Sequence, residues 1–246
     1  MTLQINFPDI NVGADQDEEF CDVVVDGEVR RIRFHDYDRI YEIPGLYEKL
    51  FYEELKCQSP EVVVGLLEES LDATGTPPEQ LRVLDLGAGN GMVGERLAEI
   101  GVSDLVGVDI IPEAAEAARR DRPDLYDDYI VADMTALRAE EERRLREWRF
   151  TCLTSVAALG FGDVPPEAFQ TAYDLIEDDG LVAFCIKEDF LRDGDGSGFA
   201  RMVHSMLESG ELDVVGEQRY EHRRSAVGDP LPYVALVARK QVTAAA

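Results

Sequence analysis

The chain has 246 residues, 45 % hydrophobic and 8 % aromatic, enough apolar material for one domain with a buried core and an added segment. Twenty-four basic against 51 acidic residues give a net charge of −27. That balance argues against a protein held to nucleic acid through its phosphates, and against one held to an anionic membrane surface.

The longest apolar runs, Leu181 to Ile186 and Tyr233 to Ala238, fall far short of the about 20 residues a membrane helix needs. Met1 to Ile10 lacks a basic stretch followed by an apolar one, so no secretory leader is expected. Cys21, Cys57, Cys152 and Cys185 show no C-x-x-C pairing and read as reduced thiols in a cytoplasm. His35, His204 and His222 lack metal-ligand spacing, so no metal is expected. The only lysines are Lys49, Lys56, Lys187 and Lys240. Dense acid with scarce lysine resembles the bias of salt-accumulating archaea, where acidity keeps proteins soluble and says little about partners. A high-GC bacterial genome that exchanges Lys for Arg gives the same pattern.

In chain order, Asp15 to Glu19 reads as an acidic solvated loop. Cys21 to Phe34 places Asp26-Gly27 between β-branched runs, the signature of a hairpin, so residues 1–35 form a small β appendage. Residues 36–75 turn helical and are expected to form a lid segment. Within it Tyr47, Leu50, Phe51 and Leu55 make one apolar stripe, and Ser59-Pro60-Glu61 reads as an N-cap opening a helix through Leu71. After the breaker cluster Gly75 to Pro78, strands and helices alternate through residues 76–246. Strands are expected at Leu81–Leu86, Asp104–Ile110, Tyr129–Ala132, Phe150–Val156 and Leu181–Lys187. Helices follow the glycines to about Ile100, and at Pro112–Arg120, Leu137–Trp148, Pro166–Ile176 and Phe199–Leu207. Alternation of this kind gives a parallel sheet covered on both faces. Leu212–Arg219 and Tyr233–Arg239 have no crossover helix between them and should be antiparallel.

The chemistry concentrates at Val83 to Arg96. Asp85, Gly87, Gly89 and Gly91 form D-x-G-x-G-x-G at a strand-to-helix turn, with Ala88 and Asn90 between the glycines. Gly87 and Gly89 permit positive φ and close approach of a ligand to the backbone. The turn should present N–H groups near the positive end of the next helix, which favours a phosphate or a carboxylate. Asp109 ends the second strand beside Ile110, where an acid accepts hydrogen bonds from a ribose diol. Asp133 and Met134 follow the third strand, placed to meet an adenine amino group and ring.

This set of residues resembles motifs I, II and III of class I S-adenosylmethionine-dependent methyltransferases, over a stretch from about Tyr37 to Lys240. The segment Ser155 to Glu167 further resembles the small-molecule branch named for the Williams–Beuren-region methyltransferase-like protein. The resemblance implies an α/β, Rossmann-like, doubly wound sheet of seven mainly parallel strands with an antiparallel last strand. It implies S-adenosyl-L-methionine as cofactor, held by Asp85, Gly87, Gly89, Asp109 and Asp133; Ala88, Asn90, Gly91, Ile110, Met134, Ser155 and Tyr41 are expected to bind it with them. Ala88 stands where many relatives carry Cys.

Gly89-Asn90-Gly91-Met92-Val93-Gly94 also satisfies G-x-G-x-x-G, so a nicotinamide-dependent oxidoreductase is the alternative. That register begins late after the strand and leaves Asp85 and Gly87 unused. A non-catalytic S-adenosylmethionine-binding module is the other alternative. Methyl transfer is an in-line displacement in which positioning dominates, so a general base is optional and no residue announces itself as one. The acceptor is expected to be a small molecule rather than nucleic acid or membrane, framed by Tyr37, Tyr47, Leu159 and Phe161. Gly160 and Gly162 would leave space for it, and Asp163 reads more simply as a helix-start acid than as a base.

Overall fold

Along each central strand, alternate residues enter different cores. Leu84, Val106, Val182, Phe184, Val234 and Leu236 lie in one cluster, which reaches Leu145, Phe169 and Val203 on helices. Val83, Leu105, Leu181, Ala183, Ala235 and Val237 lie in the other, with Val63, Leu67 and Leu97. A period of two on a sheet coated by helices on both faces produces this division. The structure, a computed structural model, describes residues 3–8, 16, 18–159, 163–188 and 198–241.

The strands are β1 (Gln4–Asn6), β2 (Phe20–Val25), β3 (Glu28–Arg33), β4 (Arg82–Leu86), β5 (Asp104–Asp109), β6 (Asp128–Val131), β7 (Cys152–Ser155), β8 (Leu181–Lys187), β9 (Leu212–Arg224) and β10 (Pro230–Lys240). The helices are α1 (Tyr37–Glu42), α2 (Leu46–Glu48), α3 (Ser59–Thr74), α4 (Met92–Glu99), α5 (Pro112–Asp121), α6 (Ala139–Glu147), α7 (Pro166–Asp174) and α8 (Gly198–Glu208).

The large sheet has seven strands in the order β6-β5-β4-β7-β8-β10-β9. β4 is parallel to β5 and β7, β5 to β6, and β7 to β8. β10 runs antiparallel to both β8 and β9. This is the doubly wound sheet with an antiparallel last strand that the alternation of elements and the resemblance imply. The strand order reverses at β4, between β5 and β7, and open α/β sheets bind ligands in the crevice beyond the carboxyl ends at such a point. β9 and β10 are longer than their apolar runs suggest, because cross-strand pairing with two register shifts carries both past their polar ends.

A second sheet, β1-β2-β3, is antiparallel throughout. Asp26 (φ 53°) and Gly27 (φ 86°) form the two-residue turn expected of the hairpin. β1 carries no sequence signal of its own: Gln-Ile-Asn is too short for a periodic pattern. Cys21, Val23, Ile32 and Phe34 share one core with Ile40, Leu46, Leu50, Phe51 and Leu55, so the appendage and the helices after it pack as one layer. The apolar stripe at Tyr47 to Leu55 runs from α2 into a π-helical stretch, Lys49–Glu54. A buried ion pair ties this layer to the large sheet. Arg223 donates to Glu19 at 2.8 Å, both side chains are 3 % exposed, and Glu19 also accepts the N–H of Ala226.

Ser59 does not cap α3. The helix starts at Ser59 itself, after Gln58, without a side-chain cap. The Ser59 hydroxyl instead bonds the Tyr220 hydroxyl and His222 Nδ1, each at 2.6 Å. The helix runs to Thr74, past Leu71, and ends on left-handed Gly75.

Candidate active site

β4 delivers the glycine turn to the point where the strand order reverses. Asp85, at the fourth position of β4, is buried rather than presented to a ligand. Its carboxylate accepts the Tyr126 hydroxyl at 2.8 Å and the Thr154 hydroxyl at 2.8 Å, joining β4 to β7 and to the segment before β6. Burial pushes its carboxyl up to about 6, against the pull of those two hydrogen bonds.

Two glycines in the turn are required by space. A Cβ on Gly87 would lie 2.9 Å from the Cβ of Ala158, and one on Gly89 would collide with the Tyr41 hydroxyl. The turn's N–H groups, expected to face a ligand, are engaged within the chain. Gly87 and Ala88 donate to Val108 O, Gly91 donates to Ala88 O, and Gly89 donates to Asp109 Oδ2 at 3.0 Å. The Gly89 carbonyl accepts the Tyr129 hydroxyl at 2.7 Å.

A cleft of about 510 Å³ opens beside this turn. Gly87, Asp109, Ile110, Asp133, Met134, Tyr37, Tyr41 and Tyr47 all line it. Asp109 is half-buried; its second oxygen accepts the Ile111 N–H at 3.0 Å, and burial raises its carboxyl above the usual range. Asp133 is exposed and held low by the Thr135 hydroxyl, with the Thr135 N–H adding to the effect. Two carboxylates therefore stand at the ends of neighbouring strands. The apolar side chains of Ile110, 58 % exposed, and of buried Met134 border the same cleft.

Asp85, Ala88, Asn90, Gly91 and Ser155 do not line the cleft, and Gly89 is covered by Tyr41. Ser155 is buried and donates to Leu86 O at 3.2 Å. Leu159 lines a smaller space of about 30 Å³ next to the cleft. Phe161, with Gly160 and Gly162, lies outside the described residues.

The tyrosines stack in series. Tyr37 and Tyr41 are 6.3 Å apart and Tyr41 and Tyr47 are 5.0 Å apart, centroid to centroid. Tyr41 rests on Ala114 and Ala117 of α5. Glu48, on the same layer, accepts from Arg122 at 2.8 Å and from the Asn90 amide at 3.2 Å. Arg122 also reaches Glu95 at 3.1 Å and the Asn90 carbonyl at 3.3 Å. The buried Asn90 Oδ1 has no partner in the chain.

Three residues escaped the sequence reading in these roles. Tyr126 and Arg122 act through contacts 41 and 74 residues away in sequence, which no local spacing reveals. His35 meets Asp163 at 2.8 Å across 128 residues. Among the described residues no cluster of His, Cys, Asp and Glu is suited to a metal, and no helix is long and apolar enough to cross a membrane.

A family model for a methyltransferase domain matches residues 58–218. No curated protein matches the chain. Among solved structures, the chain is similar to the N-methyltransferase NodS of Bradyrhizobium japonicum with S-adenosyl-L-homocysteine, at 16 % identity and a TM-score of 0.58, covering 84 % of this chain and 97 % of that one. It is similar to the magnesium protoporphyrin IX methyltransferase ChlM of Synechocystis, at 14 % identity and a TM-score of 0.52, covering 74 % and 83 %. It is also similar to a candidate RNA methyltransferase of Pyrococcus horikoshii, at 14 % identity and a TM-score of 0.53, covering 76 % and 88 %. At these identities the likeness is one of fold.

Proposed function

This chain belongs to the methyltransferase-domain family, and we propose that it moves a methyl group from S-adenosylmethionine to a small-molecule acceptor. The observation that carries the reading is the pair of carboxylates, Asp109 and Asp133, at the ends of β5 and β6 beside Ile110 and Met134 in one cleft. The lining suits a nucleoside: Asp109 to accept from a sugar diol, Asp133 to accept from an exocyclic amine, and two apolar side chains for the purine faces. A volume of about 510 Å³ is within the range of sites that take a ligand of this size.

Bound there, S-adenosylmethionine supplies a methyl group on a sulfonium, already electrophilic without further activation. The chain's own work is to hold, align and exclude water. Asp109 and Asp133 orient the nucleoside. Gly87 keeps the wall beside Ala158 free of a side chain. Tyr37 and Tyr47 form the flat wall against which an acceptor is placed. The net charge of −27 disfavours nucleic acid, and the likeness of residues 155–167 to a small-molecule branch supports the same choice.

Calorimetric titration with S-adenosylhomocysteine and, separately, NAD tests the proposal. Saturable binding of the first and none of the second is expected. Binding of NAD alone would replace methyl transfer by hydride transfer.

A further inference from the structure

We propose that His35, held by Asp163, takes the proton of the methyl acceptor, and that this acceptor carries its hydroxyl on a flat ring. The inference rests on the methyl-transfer reading above and deepens it. His35 follows β3 on the appendage, and Asp163 lies between β7 and α7 in the chain. His35 Nδ1 and Asp163 Oδ2 are 2.8 Å apart, with side-chain exposures of 11 % and 28 %, and both residues line the cleft.

Their place within the cleft is informative. His35, Tyr37, Tyr47, Ala157, Ala158 and Asp163 line both the cleft and the adjoining 30 Å³ space. Asp109, Ile110, Asp133 and Met134 line the cleft alone. The shared residues thus mark where the cleft continues beyond the side chains suited to a nucleoside, and an acceptor belongs there.

The chemistry of that end selects the acceptor. A carboxylate on one imidazole nitrogen fixes the tautomer, directs the other nitrogen's lone pair, and stabilises the imidazolium that forms on proton uptake. The His35 ring meets Tyr37 edge-on at 5.7 Å, and Tyr47 borders the same space, so the surroundings are aromatic and favour a planar ring. The other charged group bordering the smaller space, Arg223, is paired with Glu19, and Asp109, Asp133 and Asp163 give the cleft an acidic lining. A carboxylate or phosphate acceptor, charged before it binds, is repelled there; a phenol enters neutral and becomes an anion only as His35 takes its proton and becomes the cation beside it. In the step, the acceptor O–H bond breaks and its proton passes to His35. The oxygen bonds the methyl carbon as the carbon–sulfur bond breaks, and that electron pair stays on sulfur. Asp163 is a positioning residue: it keeps His35 in the tautomer that accepts.

The test uses 4-nitrophenol, whose ionised form is yellow, on the full chain saturated with S-adenosylhomocysteine, beside His35→Gln and Asp163→Asn. In the wild type, bound probe should ionise below its solution pKa, its acidity rising about tenfold, one pKa unit. In both variants the probe should still bind but lose that shift, while S-adenosylhomocysteine affinity is unchanged. ¹⁵N-histidine spectra of the wild type should show His35 becoming imidazolium as the probe binds, a readout that needs no variant. Failure of S-adenosylhomocysteine to bind would sink the methyl-transfer reading itself. If it binds, three results overturn this inference alone: no saturable binding of 4-nitrophenol, bound probe with its solution pKa, or the wild-type shift persisting without the His35 imidazole.

Discussion

Asp85→Asn should flatten a pH dependence that the wild-type protein carries in its first parallel strand. In the unfolded chain this carboxyl titrates near 3.8, and in the folded protein at about 6. Between those values the folded state holds more of the proton, so stability is highest at the acid end and falls as pH rises. Below pH about 3 both states are protonated; above about 7 both are ionised and the folded state bears the full desolvation cost. Two pH units at 1.36 kcal/mol each make that cost about 3 kcal/mol. Asparagine has nearly the same shape and still accepts from Tyr126 or Thr154, but it does not titrate, so its own effect is a constant offset. The assay is urea unfolding of both proteins from pH 4 to 7 in high salt, where surface acids are screened. The wild type's stability relative to the variant should drop by about 2 kcal/mol across that range, most of the full cost. A difference that stays level, or one that grows with pH, would refute the placement of an ionisable Asp85 out of water between Tyr126 and Thr154.

Asp109→Ala removes the proposed sugar ligand together with the acceptor for the Gly89 N–H; calorimetry should show at least a tenfold loss of S-adenosylhomocysteine affinity, about 1.4 kcal/mol. Gly89→Ala places a Cβ at φ 56° against the Tyr41 hydroxyl. It should cost about 1–2 kcal/mol from the left-handed backbone alone, and more while Tyr41 is present. In a Tyr41→Phe background the penalty should shrink, and strictly additive unfolding free energies would remove the contact. If the acidity is an adaptation to a salty cell, the Tm should climb steeply from dilute to molar KCl, because salt screens the repulsion among 51 acidic residues; a flat curve would favour the high-GC origin.

What the sequence displays and what it hides divide along a physical line. The strand–turn–helix around Gly87 and the alternation through β8 are written locally, in apolar runs and glycines, and the folded chain follows them closely. That Asp109, Ile110, Asp133 and Met134 meet at one cleft was legible for the same reason: strand ends in a parallel sheet all point to one edge. Asp85 illustrates the limit. Its spacing is that of a ligand-binding acid, yet Tyr126 and Thr154 consume it, and only folding brings those hydroxyls within 2.8 Å. Ser59 is similar: it stands where a cap belongs, but a buried histidine offers a better-matched partner. Asp163 read as an acid at a helix start because its histidine lies 128 residues away.

The position of β10 bears on how the molecule is made. The strand latest in sequence sits inside the large sheet, flanked by β8 and β9. While a ribosome is still threading out residues 230–240, β9 has no neighbour and the exposed edge of β8 stays open to any passing strand. The nascent protein therefore stays vulnerable to misassociation until translation passes Lys240, and chaperone contact at that stage would shield an edge that the finished molecule conceals.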